Sequence, residues 1–346
     1  RQMCIRDRVG KDAEISTAVM VPRFAEVREG AFLADDTMVG GYELGGGGWM
    51  LTGNTKVGKR SFLGNSGIAG PDRTLKKNSL VAVLSSTPEK TKSGSNWLGS
   101  PPERLRRVAV EAGGESRTYN PGFGLKVARG IVETLRLLAP MTSAVIAATV
   151  VLALQWVLVN QGIWQTFAVS GLVLVGAGFV AAAVTVLMKW LCVQRIKAGD
   201  HQLWSAFVWL NELQDQFVET VAGPWFLAHT MGTGSLNMFL RALGAQIGRG
   251  AWLDSYWLPE ADLVSIGRGA SVGPGCVVQT HLFQDRVMSL DTVTLGDGAT
   301  MGPHSVALPA AAIEKAATVG PASLVMRGDH VPAATRWQGN PIEIVD

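Results

Sequence analysis

The sequence predicts a mainly β chain with a membrane α insert: two parallel β-helix domains joined by a two-helix transmembrane hairpin. Two observations predict it. Aliphatic residues fall on every sixth position at Val9, Ile15, Val21, Val27, Leu33 and Val39, and again at Leu295, Met301, Ala307, Ile313, Val319 and Val325. Between these runs, residues 141–159 and 161–188 contain no charge. An ordinary strand alternates with a period of two. A six-residue beat instead stacks short coils, each turning its aliphatic inward onto the coils above and below. The next residue is often Gly, as in Val57-Gly58, Leu63-Gly64, Ile247-Gly248, Ile266-Gly267, Val272-Gly273 and Val319-Gly320. That pattern points to backbone angles that larger side chains resist.

The elements follow in order. Met3-Cys4-Ile5-Arg6-Asp7 back-translates into a string similar to a transposase adapter of sequencing libraries. Residues 1–8 are therefore expected to be a sequencing or cloning scar, with the true protein extending upstream. Residues 9–84 form the first β-helix domain, N-terminally truncated. Its beat breaks at Gly45-Gly46-Gly47-Gly48 and resumes at Val57 and Leu63. Residues 85–120, with their Pro, Gly, Ser and Lys, are expected to be a linker loop.

Residues 121–199 hold the hairpin. At about 1.5 Å per residue, roughly 20 residues match the ~30 Å hydrocarbon core. The polar break Asn160-Gln161-Gly162 divides the two spans. Two buried core helices are the alternative, but β-helices fill their own interiors and could not cover them. Lys126, Arg129 and Arg136 precede the first span, Lys189, Arg195 and Lys197 follow the second, and the turn is uncharged. The positive-inside rule then puts both flanks, and both β-helices, on the cytoplasmic side of a multi-pass membrane protein. Trp156, Trp164 and Trp190 sit where interfacial aromatics belong.

Residues 200–242 are connector helices. A helix over 200–228 carries Leu203, Phe207, Leu210, Leu213 and Phe217 on one stripe, with Asn211, Glu212, Asp215 and Glu219 at polar positions. Its acidic side is unlike a lipid-binding helix, so the expectation is that it packs on the second β-helix domain, residues 243–346.

Composition agrees with a membrane insert. The chain has 346 residues, 47% of them hydrophobic, and its net charge of +3 comes from basic residues beside the spans. No basic-aromatic stripe suggests nucleic acid. The three cysteines show neither metal spacing nor a disulfide framework, as in a reducing cytosol. No glycine cluster matches a phosphate loop or a dinucleotide fingerprint.

Longer strings carry a resemblance. Residues 279–288 (Gln279-Thr280-His281-Leu282-Phe283-Gln284-Asp285-Arg286-Val287-Met288), 321–328 and Trp337-Gln338-Gly339-Asn340-Pro341 resemble one family, the C-terminal membrane region of poly-lysine-synthetase-like nonribosomal peptide synthetases. Trp97-Leu98-Gly99-Ser100-Pro101-Pro102, Leu105-Arg106-Arg107 and residues 255–263 fit the same pattern. In that family an adenylation and carrier module precedes six spans and three tandem hexapeptide acyltransferase-like domains.

The resemblance implies that this chain is the tail: the end of the second domain, the last two spans and the third domain. It implies left-handed coils, against the usual crossover rule. It also implies aminoacyl or acyl transfer from a carrier thioester to an amine. No cofactor is expected on this fragment itself, and the 4′-phosphopantetheine thioester of a carrier domain is expected as substrate. The implied partners are the membrane, the carrier domain and the upstream tandem domain. Relatives with this coil form trimers, so a homo-oligomer or an intramolecular pseudo-trimer is expected.

Acyltransferases of this type place a His general base on a loop leaving the coil, and His281 matches by position. An imidazole with a pKa near the working pH takes the proton of an attacking amine. The alternative for His281 is a structural bond to a carbonyl. Asp285 and Arg286 are expected to orient an incoming carboxylate or phosphate, or else to pair and pin the loop. Glu260 and Asp262 are alternative bases that share a face only in an extended strand, and His304 is a further candidate on the coil surface. His201, His229 and His330 read as structural. No His lies between Val9 and Asn120. Two other readings stay open: a stand-alone hexapeptide acyltransferase, and a non-catalytic scaffold anchoring a synthetase.

Overall fold

The computed structural model describes residues 9–106 and 114–345. The expected scar at 1–8 and Arg107 lie outside the described residues. The chain divides between residues 111 and 112 into two compact units.

The first unit is a stack of parallel two- and three-residue strands on three faces. One face runs Glu14–Ile15, Phe32–Leu33, Phe62–Leu63, Leu80–Val81 and Asn96–Leu98. The second holds Ala18–Met20, Thr37–Val39 and Ile68–Ala69, and the third Ala25–Val27, Thr55–Val57 and Thr74–Leu75. Ile15 pairs with Leu33, and Leu63 with Val81, three hexapeptides further on. Val27, Leu33, Val39, Val57, Leu63, Leu75 and Val81 fill the interior. The glycine break is a hairpin standing off the stack, Tyr42–Leu44 against Met50–Thr52.

Two expectations change here. The segment 85–120 was expected to be a linker, yet Ser86 bridges to Ile68 and Asn96–Leu98 adds a further strand. Glu103–Arg104 then turns back antiparallel on it. Aliphatic counting overlooks this coil because its inward slots hold hydroxyls. Thr91 and Ser95 are buried and donate to the carbonyls of Thr74 and Lys92, each at 2.6 Å.

The glycine after each aliphatic is also there for a different reason. These glycines do not take positive φ; the residue two further on does, at Arg60, Ser66, Gly250, Gly269 and Gly275. What excludes a side chain is the neighbouring coil. A Cβ on Gly58 would meet the carbonyl oxygen of Leu75 at 2.5 Å, and one on Gly267 would meet the carbonyl carbon of Gly296 at 2.5 Å.

The second unit begins with helices: α1 (Phe123–Leu135), α2 (Leu138–Gln161) and α3 (Ile163–Cys192). α2 and α3 turn at Gly162, whose φ of 96° suits glycine. Among the described residues two helical stretches, Phe123–Gln161 and Ile163–Cys192, are long and apolar enough to cross a membrane. The expected helix over 200–228 is shorter and broken. Gly199–Gln202 is a strand instead. Helix α4 (Ala206–Phe217) follows, with the Ser205 side chain accepting from Val208 N. A π-helical stretch, Val218–Leu227, contains Pro224, and α5 (Ala228–Thr230) and α6 (Gly234–Leu243) complete the connector.

Leu213 and Phe217 of α4 pack with Ala139, Ile146 and Ala181 of α2 and α3. Leu210, Leu213 and Phe217 of α4 therefore face the hairpin rather than the coil. It is the π-helical stretch and α6 that join the coil core, through Phe226, Leu236 and Leu240.

The second stack repeats the plan of the first. Its faces run Gln246–Ile247, Val264–Ile266, Val293–Leu295, Ala312–Ile313 and His330–Val331; then Trp252–Leu253, Ser271–Val272, Thr300–Met301, Thr318–Val319 and Arg336–Gln338; then Val277–Val278, Val306–Ala307 and Leu324–Val325. A hairpin excursion leaves it, His281–Gln284 with Val287–Leu290. The strand Gly199–Gln202 adds antiparallel to the outer edge of that hairpin.

Candidate functional site

His281 is the first residue of the excursion. Its Nδ1 lies 2.8 Å from Glu260 Oε2 and 2.9 Å from Oε1. Glu260 ends the loop from the Trp252–Leu253 strand and holds a left-handed backbone, φ 44°. Its side chain is fully enclosed, while the imidazole is only half-buried.

Two more groups hold the carboxylate. The Thr280 hydroxyl is 2.6 Å from Oε2, and Asn211 Nδ2 of α4 donates to Oε1 at 2.7 Å. Burial opposes ionisation of Glu260. The facing His281 charge and the bonds from His281, Thr280 and Asn211 outweigh it and keep the carboxyl below its ordinary value. A buried carboxylate at Nδ1 fixes the ring's orientation and tautomer and leaves proton transfer to Nε2. Phe283 meets the ring edge-on at 5.7 Å between centroids.

Behind this pair stands Asp215, one helical turn beyond Asn211, whose Nδ2 is 3.4 Å from Asp215 Oδ2. Its side chain keeps some open surface, but its carboxyl is closely surrounded. Burial first, and the Glu260 charge second, raise the Asp215 carboxyl well above the usual carboxylate range. Sequence reasoning placed Asn211 and Asp215 only as polar helix positions. The signal was their spacing of four, which puts both on one helix face.

The other candidates are placed elsewhere. Glu260 and Asp262 diverge, because residues 261–263 form a 3₁₀ turn instead of a strand. Glu260 is therefore the partner of His281, not an accessible base. Asp262 is buried against Lys189 Nζ at 2.8 Å and accepts from Ile196 N at 3.1 Å, so it contacts no incoming group. Lys189, expected at the membrane surface, is 2% exposed in that pair.

Asp285 and Arg286 form the two-residue tip of the excursion, both at positive φ. Arg286 is 3% exposed, donates to the Thr118 carbonyl at 3.2 Å and covers the Tyr119 ring at 4.9 Å. Its guanidinium pins the loop and is closed to an incoming anion. Asp285 remains at the tip, away from the His281 end of the strand. His304 occupies a left-handed coil corner, φ 57°, the slot that Ala316 and Ala322 fill on later coils. His201 stacks on Phe207 at 3.9 Å. Among the described residues no cluster of metal-ligating side chains occurs.

No family model matches the chain. It is 35% identical over 339 residues to Delta-poly-L-ornithine synthetase of Acinetobacter baumannii (strain AB307-0294), covering 96% of this chain. The chain spans 25% of the length of that relative.

Solved structures similar to parts of it include a galactoside acetyltransferase in complex with coenzyme A, at 16% identity, TM-score 0.28 and coverage of 32% of this chain and 68% of that one. A hexapeptide-repeat acetyltransferase of Vibrio cholerae O1 biovar eltor complexed with acetyl coenzyme A gives 17% identity, TM-score 0.28, and coverage of 32% and 74%.

Proposed function

We propose that this chain is a membrane-anchored acyl-transfer segment of a peptide-synthetase-like protein. It transfers an aminoacyl or acyl group from the thioester of a carrier domain to an amine. The observation that carries this reading is the contact of His281 Nδ1 with the enclosed carboxylate of Glu260 at 2.8 Å. The similarity to one quarter of a poly-ornithine synthetase supports amide formation between amino acids as the reaction class.

The chemistry follows from the geometry. Nε2 takes a proton from the acceptor nitrogen as that nitrogen attacks the thioester carbonyl. The C–N bond forms, the C–S bond breaks, and the departing thiolate takes the proton from Nε2. Glu260 stabilises the transient imidazolium and keeps Nδ1 protonated throughout. In this reading the coils wind left-handed, α2 and α3 span the bilayer, and both coil domains lie in the cytoplasm. The first coil, which has no histidine between Val9 and Asn120, serves as a platform.

The test is His281→Ala in the complete synthetase. Amino-acid adenylation and carrier loading should persist, while product formation falls ~10²–10⁴-fold, the usual worth of a positioned base. Full product formation by a well-folded variant would remove His281 from the mechanism and favour the scaffold reading.

A further inference from the structure

Helix α1 is turned inside out for a helix in water. A soluble surface helix buries its apolar stripe and exposes its charges. In α1 the outward stripe is Phe123, Val127, Ile131 and Leu135, at 83%, 46%, 59% and 41% exposure. These residues repeat every four positions and so lie along one face.

Arg129 of α1 and Arg136, just past its end, face the other way, onto α4. Arg129 lies over the Trp204 ring at 5.3 Å and 3.8 Å from Glu212 Oε2. Arg136 is 3.6 Å from the same oxygen and 3.4 Å from Gln216 Oε1. The acidic side of α4 thus receives these cations, and the apolar stripe of α1 stays outward, bordered by exposed Lys126 and Glu133.

That surface does not stop at the end of α1. Leu137, Leu138 and Met141 are exposed as well, so it runs directly into α2. From the start of α1 to the end of α2 the chain covers 39 residues, Phe123–Gln161. A straight helix of that length would measure about 58 Å, nearly twice a ~30 Å hydrocarbon core. The regular helical pairing is interrupted at Arg136-Leu137: Pro140 has no N–H for the Arg136 carbonyl, which accepts from Ala139 N at 3.2 Å instead.

We propose that α1 is an in-plane interfacial helix. Its Phe123–Leu135 stripe lies in the headgroup and acyl boundary of the bilayer that α2 and α3 cross. Because the exposed charges of α1, Lys126 and Glu133, are opposite in sign, a neutral phospholipid surface suffices. The inference rests on the membrane reading above, and the experiment separates the two.

Single cysteines replace Phe123, Ile131 and, in α3, Leu174, in the full chain with Cys4 and Cys192 changed to Ser and buried Cys276 left in place. Each carries a fluorophore in phosphatidylcholine vesicles containing nitroxide lipids, with the quencher at a shallow or a deep acyl carbon. A water-soluble quencher is tested in parallel. The expected result is stronger shallow than deep quenching at Phe123 and Ile131, and the reverse at Leu174.

Aqueous quenching at Phe123 and Ile131 with deep quenching at Leu174 overturns the proposal and leaves the membrane reading standing. Deep quenching at Ile131 overturns it in favour of one continuous tilted span. Protection at Phe123 and Ile131 from every quencher overturns it in favour of a protein cover. Absence of lipid quenching at Leu174 removes the membrane reading, and the proposal with it.

Discussion

Glu260→Gln tests the site at the atom on which it depends. The substitution keeps volume and shape but replaces an acceptor-only carboxylate with an amide. In the native protein both oxygens are occupied: Oε2 by Thr280 and His281, Oε1 by Asn211 and His281. A Gln amide presents one oxygen and one NH₂. Whichever way it turns, either Asn211 or the Thr280–His281 side meets a donor.

If the NH₂ faces His281, Nδ1 becomes the acceptor and the proton moves to Nε2, the wrong tautomer for a base. The analogous change in serine proteases costs about 10⁴ in rate with geometry intact, so a loss of roughly 10²–10⁴ is expected here. Stability falls too, because a buried donor is left facing a donor, at a cost of about 1–3 kcal/mol.

The acid limb supplies a second reading. Glu260 titrates below its ordinary value in the fold. Its contribution is therefore present above the unfolded pKa near ~4.3 and is lost as pH falls through the lower folded value. The wild-type melting temperature should drop over that window, and the Gln variant should show a shallower drop. Product formation by the complete synthetase and thermal melts at neutral and acid pH make the measurement. A folded Glu260→Gln protein with wild-type turnover would refute the orienting role of the carboxylate.

Three further outcomes are expected. Gly267→Ala should lower the melting temperature by an amount equivalent to at least about 1–3 kcal/mol of overpacking, since its Cβ would abut the backbone of Gly296 and Asp297; an unchanged melt would mean the coils slide apart freely. Asp215, raised by burial and by Glu260, carries a cost that grows as pH climbs above the unfolded value near ~3.9. Asp215→Asn should therefore stabilise the protein more at pH 7.5 than at pH 4, and equal shifts at both would contradict the raised carboxyl. Cysteines introduced at exposed Gln161 and Ser93 should label from opposite sides of sealed membranes, and equal labelling from outside would remove the cytoplasmic placement.

Much of the architecture was legible because coil stacking is periodic. Leu33, Val39, Leu295, Ile313 and Val319 are buried where the count of six put them. The beat fails where a slot is polar, so the Thr91 and Ser95 coil passed for a linker. It also misled about Gly58 and Gly267, because one sequence does not distinguish a glycine kept for angle from one kept for space.

His281 was legible as a residue leaving the coil. Its partner was not: Glu260 and His281 meet only because the loop after Leu253 rises beside the excursion. Asn211 and Asp215 arrive from a helix still further away in sequence. Arg286 passed for an exposed anion fork because its burial depends on Thr118 and Tyr119, far back along the chain.

Equal coil spacing makes the second stack a ruler. Each turn of three hexapeptides adds about 4.8 Å along the axis, the distance between hydrogen-bonded strands. Insertions and deletions in such a stack therefore come in quanta. Removing eighteen residues after Leu295 would shorten the domain by one step and return every face to its original direction. Removing six would turn the remainder by a third of a revolution and present a different face to its neighbours. The excursion bearing His281 lies before that point, so its height above α6 stays fixed while the far end grows or shrinks. Reach toward a partner can thus evolve in whole steps without disturbing the geometry of the histidine.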